Sequence, residues 1–207
     1  MIEPSWNVPG SIGCWRGCTL DRAVSNFESF KNHVSVLFWS LGNESYAGDI
    51  LVEMNRYYKE KDPDRLVHYE GVAENRPYED LISDMESQMY APPEKIKEYL
   101  ENNPKKPFIL CEYMHDMGNS LGGMESYIRL LDQYEDYQGG FIWDYIDQAL
   151  FVKDEVTGRD VLRYGGDFDD RPSDYEFSGN GILFADRTEK PAMQEVRYYY
   201  GTQNRNR

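Results

Sequence analysis

The chain has 207 residues, of which 40% are apolar and 14% aromatic, and this composition is ample for the core of a globular protein. Its formal net charge of −15 at pH 7 argues against a nucleic-acid partner, because phosphate binding needs clustered Lys and Arg. No apolar run approaches the roughly 20 residues of a membrane span, so a membrane partner is not expected either.

The first elements predicted along the chain are a loop, a helix, a buried strand and a second helix. Residues 1–10 have turn residues and no strand pattern, which predicts a loop. Apolar side chains from Leu20 to Phe30 recur at helical spacing. Residues 34–40 are almost uniformly apolar and rich in β-branched and aromatic types, as in a strand covered on both faces. A helix with a polar face follows over residues 47–61.

The middle of the chain repeats this alternation with one irregular connection. Residues 65–70 predict a strand and residues 81–87 a weaker one. Residues 71–80 between them carry Arg76-Pro77 and no helical periodicity, so we predict an irregular crossover. Residues 93–101 predict a helix with proline near its first turn.

The last strands and helices follow in the same order. Residues 108–113 predict a strand, and apolar residues three or four apart from Leu121 to Tyr134 predict a helix capped by Ser120 or Asn119. Residues 140–146 predict the last clear strand. The stretch 148–187 is a long excursion that resembles a hairpin at residues 152–162, with a turn near Gly158.

Strands that alternate with helices predict an α/β fold. We count about five strands, whereas a full eight-stranded β/α barrel takes about 250 residues, so the chain resembles the second part of such a TIM barrel. We treat residues 1–207 as one incomplete barrel domain. A loop and helix over 1–33 lead into strands over 34–147, the excursion at 148–187 builds the active site, and a closing helix lies within 188–203.

Two glutamates each close an apolar, strand-like run, Glu44 after residues 34–43 and Glu112 after residues 108–111. Paired carboxylates at the carboxyl ends of buried strands are what double-displacement sugar chemistry needs. The plainer interpretation of either glutamate alone is a solvated or hydrogen-bonded surface group. The pair favours the chemical interpretation.

The three cysteines favour a reducing compartment. They are odd in number, and Cys111 falls within a predicted buried strand. Together with the lack of a visible signal peptide, this predicts free thiols in a cytoplasmic protein. Cys14 and Cys18 could ligate a metal, but none of the three histidines lies near them in sequence, which disfavours a metal site there.

Several blocks of sequence resemble bacterial β-galactosidases of glycoside hydrolase family 2. They are Trp39-Ser-Leu-Gly-Asn-Glu-Ser45, Ile109-Leu-Cys-Glu-Tyr-Met-His-Asp-Met-Gly-Asn-Ser120, Gly139-Gly-Phe-Ile-Trp-Asp-Tyr-Ile-Asp-Gln148, Tyr164-Gly-Gly-Asp167 and Asn180-Gly-Ile-Leu-Phe-Ala-Asp-Arg187. The resemblance runs from about residue 8 to about residue 200 and falls within the family's catalytic barrel, over about strands 4 to 8.

The resemblance implies a retaining hydrolase of lactose-type β-galactosides. Glu44, ending the fourth strand, would be the general acid/base, and Glu112, ending the seventh, would be the nucleophile that forms a covalent galactosyl-enzyme. Retaining enzymes hold these two carboxyl groups about 5–5.5 Å apart.

The resemblance also implies residues that contact the sugar. Asn43 would hold the 2-hydroxyl, Tyr90 would lie beside the nucleophile, and Met89 would line the aglycone side. His115 would contact the sugar, and Trp143, at the end of the eighth strand, would form the apolar floor beneath the galactose ring.

Two cations come with the same resemblance. A magnesium ion would use the carboxylate of Glu44, and its other protein ligands lie on an earlier strand that this chain does not contain. A sodium ion near the galactose 6-hydroxyl would take the Phe177 carbonyl and the Asn180 side chain, again with a further ligand outside the chain. Oxygen donors suit both hard cations.

Other interpretations of the same chain remain open. It could be a non-catalytic or dependent fragment that needs the remainder of a β-galactosidase chain, or a half barrel that self-associates through its open strand edges. β-Glucuronidase and β-mannosidase share the two glutamates. The blocks Glu112-Tyr-Met-His115 and Asn180-Gly181 favour galactose over those rivals.

Overall fold

The computed structural model describes residues 10–118 and 120–203, so most of the loop predicted at residues 1–10 lies outside the described part. The chain divides into two compact units. The first consists of the chain up to Met89 with Glu98–Cys111 and Asp136–Gln138, and the second of Tyr90–Lys97, Glu112–Glu135 and the chain from Gly139 onward.

Two long helices of the first unit form where the apolar spacing predicts them. A 3-10 turn at Gly13–Trp15 leads into α1, Arg16–Phe30, and α2 spans Asp49–Lys61, two residues later than predicted. Each helix buries one apolar stripe, which stabilises it far more than intrinsic helix propensity does. The buried core that these stripes share contains Ala23, Phe27, Trp39, Leu51, Met54, Tyr58, Val67 and Tyr69.

A short parallel strand pair lies beside these helices. Strand β1, Phe38–Ser40, pairs with β2, Leu66–His68. The prediction of a strand over residues 34–40 is wrong in its first half, because the amide of Val36 donates to the carbonyl of His33 in a turn. Val34 is 93% exposed there, so an apolar run alone did not specify a buried strand.

The connection after β2 is irregular, as predicted, and extends further than predicted. It contains 3-10 turns at Glu70–Ala73 and Arg76–Tyr78 and a single turn of helix, α3, at Glu79–Ile82. The strand predicted over 81–87 is wrong in position, because β3 spans Glu86–Met89. The residues of β3 are mostly polar. The apolar residues on which the prediction depended lie earlier in the chain, in and around α3.

A three-stranded sheet has the order β3-β4-β5, with β4 at Phe108–Tyr113 and β5 at Tyr137–Ile142. Strand β4 and helix α4, Pro93–Glu101, have the predicted bounds. Strand β5 begins three residues before the start of the strand predicted over 140–146, and it ends four residues before the end of that prediction.

Helix α5, Met124–Gln133, starts after Gly123, which occupies the left-handed region at φ 74° and supplies no capping side chain. The prediction of a Ser120 cap is therefore wrong, because the Ser120 hydroxyl donates to the carbonyl of His115 instead. The alternative cap, Asn119, lies outside the described residues.

The second unit contains the predicted hairpin and closing helix. Strands β6, Leu150–Lys153, and β7, Asp160–Arg163, pair antiparallel, and Gly158 lies in their turn at φ 66°. A 3-10 turn at Tyr175–Ser178 precedes helix α6, Met193–Gln203. The buried centre of this unit consists of Met124, Ile128, Ile182, Leu183 and Val196.

Over residues 10–118 and 120–203 the strands form three separate sheets of two, three and two strands. The described part is therefore a mixed α/β structure in which no barrel closes. None of its helices combines the length and the apolar character needed to cross a membrane.

Candidate active site

The acid/base candidate lies on a loop that follows β1, here called the acid/base loop and defined as residues 43–47. Asn43 and Glu44 are both exposed, and Glu44 has a left-handed backbone at φ 54°. Such a conformation is uncommon for a residue other than glycine and needs support from its surroundings. The support comes from Glu70, whose Oε1 accepts the backbone N–H of Glu44 at 2.6 Å.

The residues that follow β2 hold the rest of this loop, and we call residues 69–75 the clamp segment. The Tyr69 hydroxyl donates to the carbonyl of Ser45, and the Asn75 side chain donates to the carbonyl of Ala47 at 2.6 Å. A Cβ at Gly71 would lie 2.5 Å from the Ser45 carbonyl oxygen, so the close approach requires glycine. The clamp segment therefore fixes the acid/base loop at three points.

A buried polar network lies next to the clamp segment. His68 is hydrogen-bonded to Ser40 Oγ through Nδ1 at 3.0 Å and to Ser87 Oγ through Nε2 at 2.7 Å. Burial lowers the pKa of His68 to about 4, so the ring is neutral near pH 7. Ligand atoms of His68, Glu70 and Cys111 lie within 4.8 Å of one another, but both ring nitrogens already have hydroxyl partners.

In the second unit, the nucleophile candidate is tied to Tyr90 by two hydrogen bonds. The Tyr90 hydroxyl donates to Glu112 Oε2 at 2.6 Å, and its backbone N–H donates to the Glu112 carbonyl at 2.9 Å. Hydrogen bonds to a carboxylate are stronger than neutral ones and fix its orientation. Tyr90 thus orients one oxygen of the Glu112 carboxylate.

A series of side-chain contacts leads from Tyr90 to Asn180. The His115 ring centroid lies 5.6 Å from that of Tyr90 and 5.6 Å from that of Phe177. The Phe177 carbonyl accepts a hydrogen bond from Asn180 Nδ2 at 2.7 Å. The structure therefore brings five predicted site residues together in one unit.

Trp143 joins the same group through its backbone, just after β5. Its N–H donates to the Tyr113 carbonyl at 3.0 Å, and its carbonyl accepts from the Asp116 N–H at 2.8 Å. The next residue, Asp144, donates its N–H to the Asn180 carbonyl at 2.7 Å. The indole is half-buried, which suits a surface against which a ring can pack.

Three buried polar atoms in this region have no hydrogen-bond partner within residues 10–118 and 120–203. They are Asp116 Oδ2, Trp143 Nε1 and Asn180 Oδ1. Burial raises the pKa of the Asp116 carboxyl. Buried unpaired polar groups are costly, so they mark places for a ligand, an ion or water. Asn180 Oδ1 and the nearby Phe177 carbonyl are oxygen donors of the kind that sodium prefers, so they fit the predicted cation.

Three predicted residues, Glu44, Asn43 and Met89, lie outside this group, and two further polar residues were missed. Asn43 is exposed in the first unit, and Met89 ends β3 half-buried. Reasoning from sequence overlooked Glu70 and Asp116. Glu70 carries the same signal as the two chosen glutamates, because it follows the apolar run of β2 and could have been found from it.

Comparison with known proteins identifies the family of the chain. The sequence matches the TIM barrel domain of glycosyl hydrolases family 2 over residues 1–204. It is 74% identical over 200 residues to a β-galactosidase large subunit of Latilactobacillus sakei, covering 97% of this chain and 32% of that protein. It is 60% identical over 199 residues to a β-galactosidase of Halalkalibacterium halodurans, covering 96% of this chain and 19% of that protein.

Solved structures show the same fold at low identity. A β-glucuronidase from an uncultured Clostridium matches with a TM-score of 0.57 at 18% identity, over 90% of this chain and 36% of that one. A family 2 β-galacturonidase from Eisenbergiella tayi matches with a TM-score of 0.56 at 15% identity, over 92% and 37%. The chain spans a third or less of the curated relatives named above. It belongs to glycosyl hydrolases family 2 and corresponds to part of that family's TIM barrel domain.

Proposed function

We propose that the chain is the catalytic part of a retaining β-galactosidase that releases terminal, non-reducing β-D-galactose from lactose-type substrates. The observation that carries the proposal is the joined group in which Tyr90 aims Glu112 and leads through His115 to Phe177 and Asn180. The substrate class is supported by two relatives that are 74% and 60% identical to this chain, since both are named as β-galactosidases.

The proposed chemistry needs two carboxylates with opposite tasks. Glu112 attacks the anomeric carbon through a carboxylate oxygen while Glu44 protonates the departing glycosidic oxygen. Glu44 then deprotonates a water molecule, which releases galactose from Glu112 with the β configuration retained. The exposed Glu44 and the hydrogen-bonded Glu112 suit these roles, because the acid/base must meet water and the nucleophile must stay oriented.

The remaining predicted residues would orient the sugar. Trp143 would lie beneath the apolar face of galactose, and His115 would contact its hydroxyl groups. We assign Asn43 to the 2-hydroxyl because it precedes Glu44, and Met89 to the aglycone side because it precedes Tyr90. These assignments rest on the family resemblance and on each residue's place at a strand end.

Two cations belong to this proposal. Sodium would be held by the Phe177 carbonyl and the Asn180 amide oxygen, where it would orient a sugar hydroxyl. Magnesium would be held by the Glu44 carboxylate. Ligands beyond this chain would complete both sets.

The proposed architecture is about strands 4 to 8 of a TIM barrel, with residues 148–187 as the active-site loop and 188–203 as the closing helix. Its first partner would be the remainder of a β-galactosidase chain, which would supply the earlier strands. The name of the Latilactobacillus sakei relative, a large subunit, suggests a partner subunit as well. Self-association of the chain is the competing assembly. Cys14, Cys18 and Cys111 form no disulfide within residues 10–118 and 120–203, which supports a cytoplasmic location.

The alternative substrate classes are glucuronides and mannosides. Several solved structures with this fold are β-glucuronidases, but they are only 16–18% identical to the chain. A panel of 4-nitrophenyl β-D-galactoside, β-D-glucuronide and β-D-mannoside separates these classes. We expect turnover of the galactoside at least about 100-fold faster, because a site built to pair one set of hydroxyls rejects another strongly.

The direct test is hydrolysis of an aryl β-D-galactoside, with and without magnesium, by the purified chain alone and by the complete subunit. The controls are Glu112→Gln and Glu44→Gln. Turnover that disappears in Glu112→Gln supports the proposal. Turnover by the complete subunit but not by the isolated chain identifies a dependent fragment, and undiminished turnover in Glu112→Gln contradicts the assignment of the nucleophile.

A further inference from the structure

We propose that Glu70 is a positioning residue for the acid/base: its carboxylate holds the backbone of Glu44 in the conformation that aims the catalytic carboxyl group. This inference rests on the proposed function. It assigns no chemical step to Glu70 and concerns atoms of the first unit alone.

The contact itself is short and well buried. Glu70 Oε1 accepts the Glu44 N–H at 2.6 Å, and Glu70 is only 7% exposed. A charged acceptor on a backbone N–H makes a strong hydrogen bond, and burial strengthens it because little water competes. The acceptor is also fixed in place, since Glu70 begins the 3-10 turn Glu70–Ala73 directly after β2.

Glu44 needs such a contact for two reasons. Its side chain is exposed, so packing does not determine where the carboxyl group points. Its backbone is left-handed at φ 54°, a conformation that an L-residue keeps only when neighbouring groups enforce it. The bond from Glu70 acts on the amide of that same residue.

The other contacts of the clamp segment act further along the loop. Tyr69 bonds Ser45 and Asn75 bonds Ala47, so both act after the catalytic residue. Glu70 also approaches His68 and Cys111, as a metal site would require, but His68 is already hydrogen-bonded to two serine hydroxyls. The geometry therefore favours an orienting role for Glu70 over a ligand role.

An orienting role predicts a selective kinetic defect. Leaving groups such as an alkoxide or a sugar need protonation by Glu44, whereas 2,4-dinitrophenolate departs without it. Azide likewise attacks the glycosyl-enzyme without a general base. General acid/base catalysis contributes about 10²–10⁴-fold, so a misaimed Glu44 loses a large part of that factor only where a proton must move.

The experiment compares Glu70→Ala and Glu70→Gln in the complete subunit. For Glu70→Ala we expect kcat/KM on lactose to fall roughly 100-fold and kcat/KM on 2,4-dinitrophenyl β-galactoside to fall less than about threefold. Azide should raise kcat on the dinitrophenyl substrate and yield β-galactosyl azide. Glu70→Gln keeps an acceptor oxygen, so its kcat/KM on lactose should be about tenfold higher than that of Glu70→Ala.

Glu125→Ala is the matched control, because Glu125 is exposed and pairs with Arg129 on the surface of α5. It should leave both substrates unaffected. Equal losses on the two substrates, or no response to azide, overturn the orienting role of Glu70. A loss reversed by added zinc would indicate a metal ligand and would also overturn it.

A second measurement separates this inference from the proposed function. Hydrogen exchange of the Glu44 amide is followed in a Glu112→Gln background, where turnover plays no part. Glu70→Ala should speed exchange of that amide at least about tenfold relative to Glu125→Ala, because the amide loses its acceptor. Unchanged exchange refutes the contact even if the protein is an active galactosidase. Accelerated exchange supports it even if the substrate class is wrong.

Discussion

Tyr90 is bonded to Glu112 twice, through its hydroxyl to Oε2 at 2.6 Å and through its backbone N–H to the carbonyl at 2.9 Å. The first bond orients the carboxylate, and the second fixes the distance between the two residues. Because the second does not involve the side chain, it survives replacement of tyrosine by phenylalanine. The contribution of the hydroxyl can therefore be measured separately.

Tyr90→Phe should lower kcat on an aryl β-galactoside by about 10- to 150-fold, because a hydrogen bond to a charged group contributes about 1.5–3 kcal/mol. Its unfolding midpoint should remain close to that of the unsubstituted protein. Steady-state kinetics and thermal unfolding measure the two effects. Tyr99→Phe is the matched control, since its hydroxyl donates only to the backbone of Lys106, and wild-type rates are expected from it. A Tyr90→Phe protein with unchanged kcat would show that Glu112 needs no such support.

Gly181 should tolerate no side chain. A Cβ there would lie 2.3 Å from the Asp147 amide nitrogen and 2.4 Å from the Ile146 carbonyl carbon, and neither backbone atom can move cheaply. Gly181→Ala should therefore destabilise the protein by about 1–3 kcal/mol or more and raise KM, because the neighbouring Asn180 shifts. Urea unfolding and galactoside kinetics test this.

Gly201 in α6 provides the contrasting replacement, because a Cβ there meets nothing within 4 Å beyond the helix itself. Gly201→Ala should raise the unfolding free energy by up to about 0.5–1 kcal/mol, since alanine loses less backbone entropy in a helix. Equal effects of the two glycine substitutions would contradict the packing around Gly181.

The buried carboxylate of Glu86 depends on Arg76, which bonds it through two nitrogens at 2.6 and 2.8 Å. The Glu86 side chain is 5% exposed, so loss of the arginine would leave a buried charge with poor compensation. Since Arg76 itself is partly exposed, we expect Arg76→Met to cost about 2–3 kcal/mol, below the full range for buried pairs. Arg197→Met removes an exposed pair with Glu189 and should cost less than about 1 kcal/mol in the same urea titration.

Helices and strands whose apolar residues recur at a regular period could be predicted from the sequence. Those whose position depends on contacts with distant segments could not. Helix α4 and strand β4 have their predicted bounds because their apolar residues meet a core at the expected period. Strand β3 was misplaced because its residues are polar, and hydrogen bonds in the sheet rather than side-chain pattern determine where it begins. Residues 34–37 do not form the predicted strand, because apolar character alone does not specify one, and Val34 and Leu37 are exposed.

The candidate site divides in the same way. Glu112 was predicted from its place at the end of a strand-like run, whereas Tyr90 and His115 were predicted from the family resemblance. The position of Glu70 after β2 is visible in the sequence, but its role required the structure, because that role lies in a bond to a residue 26 positions earlier in the chain. The unpaired atoms of Asp116 and Asn180 also required it, since burial of single polar atoms depends on how separate segments pack.

His68 should make stability depend on pH between about 4 and 6.5. Burial lowers its folded-state pKa to about 4, whereas an unfolded histidine titrates near 6.5. Between these values the unfolded chain takes up a proton that the folded chain does not, so stability falls as the pH falls. The contribution of His68 is fully present above pH 6.5 and is lost by about pH 4.

The loss attributable to His68 over that window is roughly 3 kcal/mol, at about 1.4 kcal/mol for each pH unit of difference in pKa. Urea unfolding at several pH values measures it, and His68→Gln should remove that part of the slope while leaving the contribution of the carboxylates. The exposed His33 serves as control, so His33→Gln should keep the full slope. A His68→Gln protein whose stability falls as steeply as that of the unsubstituted chain would mean that His68 is protonated in the folded state, and the neutral network of Ser40, His68 and Ser87 would then be wrong.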